Sequence, residues 1–428
     1  MIPRTQGGGA ADPRPGSMPP RTPRYRRGTH SLLARETAPA AVGLWLAELD
    51  AAPPPCVVDA VTDYVTGGHL GYGDAFDLAT DSLRRWLADQ HDWLTEASRS
   101  GAVHAVAVTI LALTDPGDAV AVLTPSYPPV LRAVGELGRR LVPWPLLDED
   151  AGHRHDLDAL DALLARDTPR LLVLTSPHNP TGRVFTAAEQ HALAARVARH
   201  PTLFVLSDEV FADLVHPGHR HLCFARAARA ARAAGGGGLD ARTVTVLSAS
   251  KAFNLAGLRC AAVHAGSAEL SGRLAAVPAA LTGTTSVVAA IASAAAWDGG
   301  HDWLAATRAH LTANRDLLFD HLTRYVPALT GSPPEATYLA WLRAHGPLAD
   351  PEFPGAQVGA DVRSRLLAAG VDLADGAPFG DRTGRRVRLS FGCPPDVLTA
   401  ALDRLTVTCA AWDAALARGG RSDAGPPG

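Results

Sequence analysis

The sequence predicts an α/β fold with a second, smaller α+β domain. Three observations carry this expectation. Short apolar runs are continuous rather than alternating, as strands read when helices cover both faces of a parallel sheet. Helical stretches separate those runs, the pattern of a layered α/β architecture. From about residue 305 onward the pattern changes to long helices and then short strands. The chain has 428 residues, 47% apolar and 19% charged. That composition suits a soluble globular enzyme of about two or three domains.

In chain order, residues 1–28 are rich in Gly, Pro and Arg without apolar periodicity, and read as a disordered arm. Residues 29–58 are an N-terminal segment expected to pack on the small domain, and residues 59–304 the large domain. Strands are expected at Ala119–Leu123, Arg170–Leu174, Leu203–Leu206 and Val244–Leu247. A helix over Thr186–His200 opens on a capping threonine with Glu189 three positions later. The Ala/Arg stretch at 226–241 runs into Gly235–Gly238. No strand precedes these glycines, so they read as a helix end and surface loop rather than a phosphate cradle. Residues 305–416 form the small domain, with strands around Thr337–Leu342 and Arg386–Phe391, and 417–428 a flexible tail.

Several function classes are excluded. A net charge of −3 gives no global field for nucleic acid or an anionic membrane. The arginines of the arm read as a solvated tail. No apolar run approaches about 18 residues, so no membrane span is expected. Arg26-Arg27 is followed by no apolar signal region. The cysteines (Cys56, Cys223, Cys260, Cys393 and Cys409) are scattered and odd in number, with no CxxC pair. No disulfide framework or metal site is expected, and the cytoplasm is the expected compartment.

The chemistry concentrates in Ser248-Ala249-Ser250-Lys251, with Arg259 eight positions after the lysine. An aldehyde cofactor with a phosphate needs an amine for a Schiff base, plus hydroxyls and a guanidinium for the phosphate. Pyridoxal 5′-phosphate (PLP) meets that description. Lys251 is the candidate for the amine, and Ser248, Ser250 and Arg259 for the phosphate. Asp208 ends a strand, where a carboxylate can pair with a protonated pyridine nitrogen. Its neighbour Glu209 reads as structural. Ser176-Pro177-His178-Asn179-Pro180-Thr181-Gly182 follows a strand directly. Its prolines and glycine force an irregular turn that presents the Asn179 amide at the strand end. Gly101-Ala102-Val103-His104 opens an apolar helix, and the free N–H groups of Ala102 and Val103 can bind phosphate. Arg386 and Arg388 share one face of a strand, and either guanidinium fits a carboxylate fork-to-fork.

The lysine segment, the Asn-Pro-Thr-Gly turn and the strand-end aspartate together resemble fold-type I PLP-dependent enzymes of the aminotransferase class I/II superfamily. The resemblance runs from about residue 25 to 412. It implies that Asn179 donates to the cofactor's ring oxygen. An Arg-Leu-Asn pattern before Phe-x-x-Pro selects Arg388 for the substrate α-carboxylate, here with Ser390 in place of Asn. Tyr127 resembles the aromatic that stacks on the pyridine ring, against a core tyrosine as the alternative. Tyr72, in Gly71-Tyr72-Gly73, resembles the tyrosine that reaches the neighbouring subunit's phosphate, which implies a homodimer. A plain turn tyrosine is the alternative.

Smaller signatures resemble the cystathionine β-lyase-like C–S lyase branch. They are Arg27-Gly28-Thr29-His30-Ser31, Trp45-Leu46-Ala47-Glu48-Leu49-Asp50 and Ala336-Thr337-Tyr338-Leu339-Ala340-Trp341-Leu342. That branch implies that the Ala47 backbone helps position the substrate carboxylate. It also implies α,β-elimination from an S-substituted L-cysteine to a thiol, pyruvate and ammonia. An aminotransferase, or a decarboxylating or deaminating enzyme on a related substrate, is the alternative enzyme. A PLP-binding regulator comes from another class, but that type adds a winged-helix domain for which too few residues precede the fold. This chain departs from the branch pattern at Phe211, where His or Tyr is usual, at Arg343 and at Leu33-Ala34. These departures suggest a specialised member, acting on a bulky cysteine conjugate in secondary metabolism.

Overall fold

The structure, a computed structural model, describes residues 31–94 and 105–419, apart from 39, 69, 150–151, 236 and 351–360. In chain order the strands are β1 (Val42–Gly43), β2 (Ala119–Thr124), β3 (Arg140–Pro145), β4 (Leu147–Glu149), β5 (Gly152–Arg154), β6 (Leu171–Thr175) and β7 (Phe204–Asp208). They continue with β8 (Thr243–Leu247), β9 (Ala262–Ala265), β10 (Leu329–Thr330), β11 (Leu339–Ala344), β12 (Val371–Asp372), β13 (Ala374–Asp375) and β14 (Arg386–Ser390). The central sheet has the order β3-β2-β6-β7-β8-β9. All its pairings are parallel except β8–β9.

The continuous apolar strands have the cause that the sequence suggests. Ala121, Leu123, Leu172 and Leu174 face a layer built by the helices Leu157–Asp167, Ala187–Ala198 and Phe224–Ala233. Val120, Val122, Leu171 and Val173 face the opposite layer, built by Ala105–Leu113, Pro128–Glu136 and Ala268–Ala275. Each Leu or Val buried this way contributes about 1.5–3 kcal/mol relative to exposure. The helix Ala187–Ala198 begins on a capping box, Thr186 Oγ1 accepting from Glu189 N at 3.2 Å and Glu189 Oε2 from Thr186 N at 2.7 Å.

After β2 the chain runs outward to β3, then returns on β2's other side as β6. The strand order therefore reverses between β2 and β6. Crevices at such reversals, outside the carboxyl ends of the strands, are where α/β sheets bind ligands.

A second sheet, β10-β11-β14-β13, is antiparallel throughout. The N-terminal segment joins it through the parallel pair β1–β12 and through Ser390 N, which donates to Leu44 O at 2.8 Å. The helices His301–Tyr325 and Pro395–Gly419 accompany this sheet.

Details differ from the sequence reading for identifiable reasons. β11 begins at Leu339 rather than Thr337, because Thr337 sits at φ 71° and its N–H donates to Leu214 O instead of a ladder. β14 stops at Ser390, one residue short. The change of pattern near 304/305 falls inside one helix, 301–325, and the last helix runs to Gly419, into the expected tail. The Ala/Arg stretch is the helix Phe224–Ala233, followed by Gly235 and Gly238 at positive φ. β3 carries Pro143 and Pro145, which an edge strand tolerates and which mask it in the sequence. Among the described residues no helix is long and apolar enough to cross a membrane.

Candidate active site

Four adjacent strand ends deliver the predicted residues to one place. Tyr127 follows β2, Asn179 follows β6, Asp208 closes β7, and Lys251 follows β8. The register keeps these ends level, with Thr175 opposite Asp208 and Asp208 opposite Val246. Tyr127 and Asn179 thus flank the point where strand order reverses.

Lys251 lies on the four-residue helix Ala249–Ala252, capped by Ser248, whose Oγ accepts from Ser250 N at 3.0 Å. The Ser248 hydroxyl also lies 2.8 Å from that of Ser250 and 2.6 Å from Cys260 O. The turn therefore holds both hydroxyls beside the lysine. Lys251 Nζ donates to Ala47 O at 3.0 Å and stands 6.0 Å from the centroid of the Phe211 ring. Burial, aided by the Arg388 charge, lowers the Lys251 pKa to about 8 against the pull of Glu48 and Asp208. Asp208 is buried too, and burial raises its carboxyl to about 6 although Val210 N donates to it at 3.3 Å. Arg259 ends a 3-10 turn at φ 57°, its side chain exposed.

Arg388 reaches the site from β14. Its Nη1 donates to Asn179 Oδ1 at 3.1 Å and its Nη2 to Trp45 O at 2.8 Å, with Phe379 under the guanidinium at 4.8 Å. Its Nε is buried without a partner among the described residues. Burial lowers this guanidinium to about 10. Arg386, on the same face, is instead ion-paired with Asp148 of β4, which also lies 3.2 Å from His153. The pairing leaves Arg388 as the strand's guanidinium with an open donor in the site.

The remaining candidates fall as follows. Ala102 and Val103, like Arg27-Gly28-Thr29-His30, lie outside the described residues. Tyr127 caps the helix Pro128–Glu136 with its side chain 42% exposed. Tyr72 is fully exposed. Phe211 is buried and meets Tyr338 edge-on at 5.8 Å. Ala47 enters the site through its carbonyl, an acceptor, so only its N–H is suited to a carboxylate. Glu209 sits behind Asp208 in a buried group with His221 and Cys223. Its oxygens accept from Ser207 at 2.8 Å and Phe224 N at 2.9 Å, and lie 2.9 Å from His221 Nε2.

Three participants received no role from the sequence. Phe379 underlies Arg388, Asn254 donates to Leu49 O and Ala51 O at 2.9 and 2.6 Å, and Tyr338 donates to Ala47 O at 3.2 Å. Asn254 and Tyr338 stand inside segments the sequence singles out, but their partners are backbone carbonyls, which no motif reveals.

A buried amine, a buried carboxyl, two clustered hydroxyls and an exposed guanidinium form a donor set that fits a phosphorylated aldehyde with a basic ring nitrogen. Comparison with known proteins agrees. The chain is 32% identical over 384 residues to a putative cystathionine beta-lyase of Mycobacterium tuberculosis, covering 85% of this chain and 90% of that protein. It is 33% identical over 368 residues to a probable N-succinyldiaminopimelate aminotransferase of the same organism, covering 83% and 89%. The crystal structure of OvoB superposes with a TM-score of 0.80 at 31% identity, covering 90% of this chain and 97% of that one. The model of the family described as aminotransferase class I and II matches residues 47–405. The chain therefore belongs to the aminotransferase class I and II family, in the fold of the type I PLP enzymes, and its cofactor is pyridoxal 5′-phosphate.

Proposed function

We propose that this protein is a C–S β-lyase. It cleaves S-substituted L-cysteine conjugates with one water, giving a thiol, pyruvate and ammonia. The observation that carries the amino-acid part of this reading is the Arg388 guanidinium, bonded to Asn179 through Nη1, with a buried Nε that has no partner among the described residues. It offers a substrate α-carboxylate one arm of a bidentate fork. The lyase part rests on the resemblance of the 45–50 and 336–342 segments and on the named lyase relative.

When bound, PLP supplies an electron sink that lets the Cα–H bond break. Lys251 would hold the cofactor's aldehyde carbon and, as a free amine, would take the Cα proton, a task suited to an amine near pKa 8. Asp208 is the carboxylate that would pair with the ring nitrogen and hold its proton. Asn179 and Arg388 hold the carboxylate, with the Ala47 N–H beside them. Ser248, Ser250 and Arg259 take the phosphate, joined by the Ala102 and Val103 N–H groups, and Tyr127 covers the ring. Phe211 presents no donor where related enzymes carry one.

A second copy of the chain completes the assembly. Tyr72 is fully exposed, and Leu70 and Leu94 are 65% and 81% exposed, the kind of surface a homodimer covers. Tyr72 reaches the neighbouring site in that arrangement. The five free cysteines suit the reducing cytoplasm.

Transamination is the second reading, favoured by the aminotransferase relative. Both reactions begin with loss of the Cα proton. The discriminating test incubates PLP-loaded protein with an S-alkyl-L-cysteine with and without a 2-oxo acid. A lyase releases ammonia in either case; strict dependence on the acceptor would sink the lyase reading. For the substrate, the bulky-conjugate proposal fails if cystathionine or cystine turns over faster than any S-alkyl conjugate.

A further inference from the structure

The chain from Leu44 to Ala51 is a strap laid across the site, held largely by its carbonyls, with Leu44 N donating to Asp372 O at 2.8 Å and Asp50 N to Gly392 O at 2.6 Å. Leu44 O accepts from Ser390 N at 2.8 Å, and Trp45 O from Arg388 Nη2 at 2.8 Å. Leu49 O and Ala51 O share Asn254 Nδ2. Between these anchors, the Ala47 carbonyl accepts twice, from Lys251 Nζ at 3.0 Å and from the Tyr338 hydroxyl at 3.2 Å. Ala47 and Tyr338 are both buried, 8% and 1% exposed.

A carbonyl oxygen has two lone pairs, so both bonds are made at once in the cofactor-free chain. Attachment of the cofactor joins Nζ to the aldehyde carbon and releases one water. That nitrogen then keeps at most one hydrogen, fixed by the C=N bond, in place of the ammonium's three, so its bond to Ala47 O is given up. The phenol becomes the donor that keeps a buried carbonyl satisfied, and leaving such an acceptor unpaired is costly. Burial pushes the Tyr338 hydroxyl far above its usual range, so it stays protonated and donating.

We propose that Tyr338 is a positioning residue that holds the Ala47 carbonyl, and with it the 44–51 strap, while Lys251 carries the cofactor. The proposal rests on the reading that Lys251 is the attachment site. Its hydroxyl contributes more to the loaded protein than to the cofactor-free one. Linkage then requires that losing it weaken cofactor binding. A merely structural tyrosine would weigh equally in both states.

The test is Tyr338→Phe, which keeps the ring against Phe211 and removes only the hydroxyl. The affinity for PLP is measured by titrating cofactor-free protein, and thermal midpoints are taken without cofactor in two backgrounds. The expected result is a roughly tenfold weaker PLP dissociation constant, equivalent to about 1.4 kcal/mol. The cofactor-free midpoint should barely move. In a Lys251→Met background, where the lysine no longer serves Ala47 O, the same substitution should lower the midpoint by about 1–3 °C. Unchanged PLP affinity, or equal midpoint losses in both backgrounds, overturns the proposal. So does a Tyr338→Phe chain that cannot fold even with Lys251 present. A visible cofactor band that survives Lys251→Met would instead overturn the attachment reading, which keeps the two failures distinct.

Discussion

Replacing Arg388 with lysine should cost about 2–3 kcal/mol of transition-state stabilisation, the loss of one charge-assisted hydrogen bond and its geometry. The structure gives the reasons. Arg388 already donates to Asn179 Oδ1 and Trp45 O, and its Nε is left over. A carboxylate can use Nε together with one terminal nitrogen. Lysine offers a single ammonium that cannot serve Asn179, Trp45 O and a fork at once. The assay is kcat/KM on an S-alkyl-L-cysteine, where the expected loss is roughly 30- to 150-fold. Arg386→Lys is the internal control. That side chain lies on the same strand face but is paired with Asp148, and lysine keeps the charge of that pair, so its replacement should stay within about threefold in kcat/KM. If Arg386→Lys proves as damaging as Arg388→Lys, or if Arg388→Lys changes kcat/KM less than about threefold, the assignment of the carboxylate site is wrong.

The remaining predictions concern the lysine, its aromatic neighbour and the turn that carries Asn179. Attack on an aldehyde needs the neutral amine, and the Lys251 pKa is lowered from 10.5 to about 8. PLP incorporation into cofactor-free protein should therefore accelerate with rising pH and be half-maximal near 8; a midpoint near 10.5 would deny the burial of the amine. Phe211→His places a donor about where the phenyl ring faces Lys251, and should move the pH midpoint of the loaded protein's visible band by about one unit. An unmoved midpoint would put Phe211 away from the cofactor. At Gly182, φ is +70° and an added Cβ would lie 2.2 Å from Pro334 Cβ and 2.9 Å from Ala336 O. Gly182→Ala should cost about 2–4 kcal/mol in a urea titration and weaken PLP binding; a loss under about 0.5 kcal/mol would show that the turn yields freely.

The sequence showed the central sheet because each inner strand is buried on both faces and reads as an unbroken apolar run. It did not show β3, whose prolines are tolerated only at an edge, nor β9, a four-residue strand of small residues and one histidine. The candidate site was legible where chemistry demands a residue type: Lys251 for an amine, Asp208 for a carboxylate at a strand end. Spacing could not separate Arg386 from Arg388, because two residues apart on a strand means one face. Their distinction depends on Asp148, on a hairpin 238 positions earlier than Arg386. The 45–50 segment was legible as a motif, but what anchors it was not, for a similar reason. Its bonds run through backbone carbonyls and N–H groups, which are not particular to any residue type. Tyr338 belongs to a motif and Asn254 lies between Lys251 and Arg259, yet their roles are fixed only by which carbonyls they meet.

The most direct test of the account follows pyruvate and free thiol together as purified, PLP-loaded protein acts on S-alkyl-L-cysteines without any 2-oxo acid present. A lyase gives one pyruvate for each thiol over many turnovers. Conversion of the cofactor to its amine form with no thiol released would contradict it and make the protein an aminotransferase.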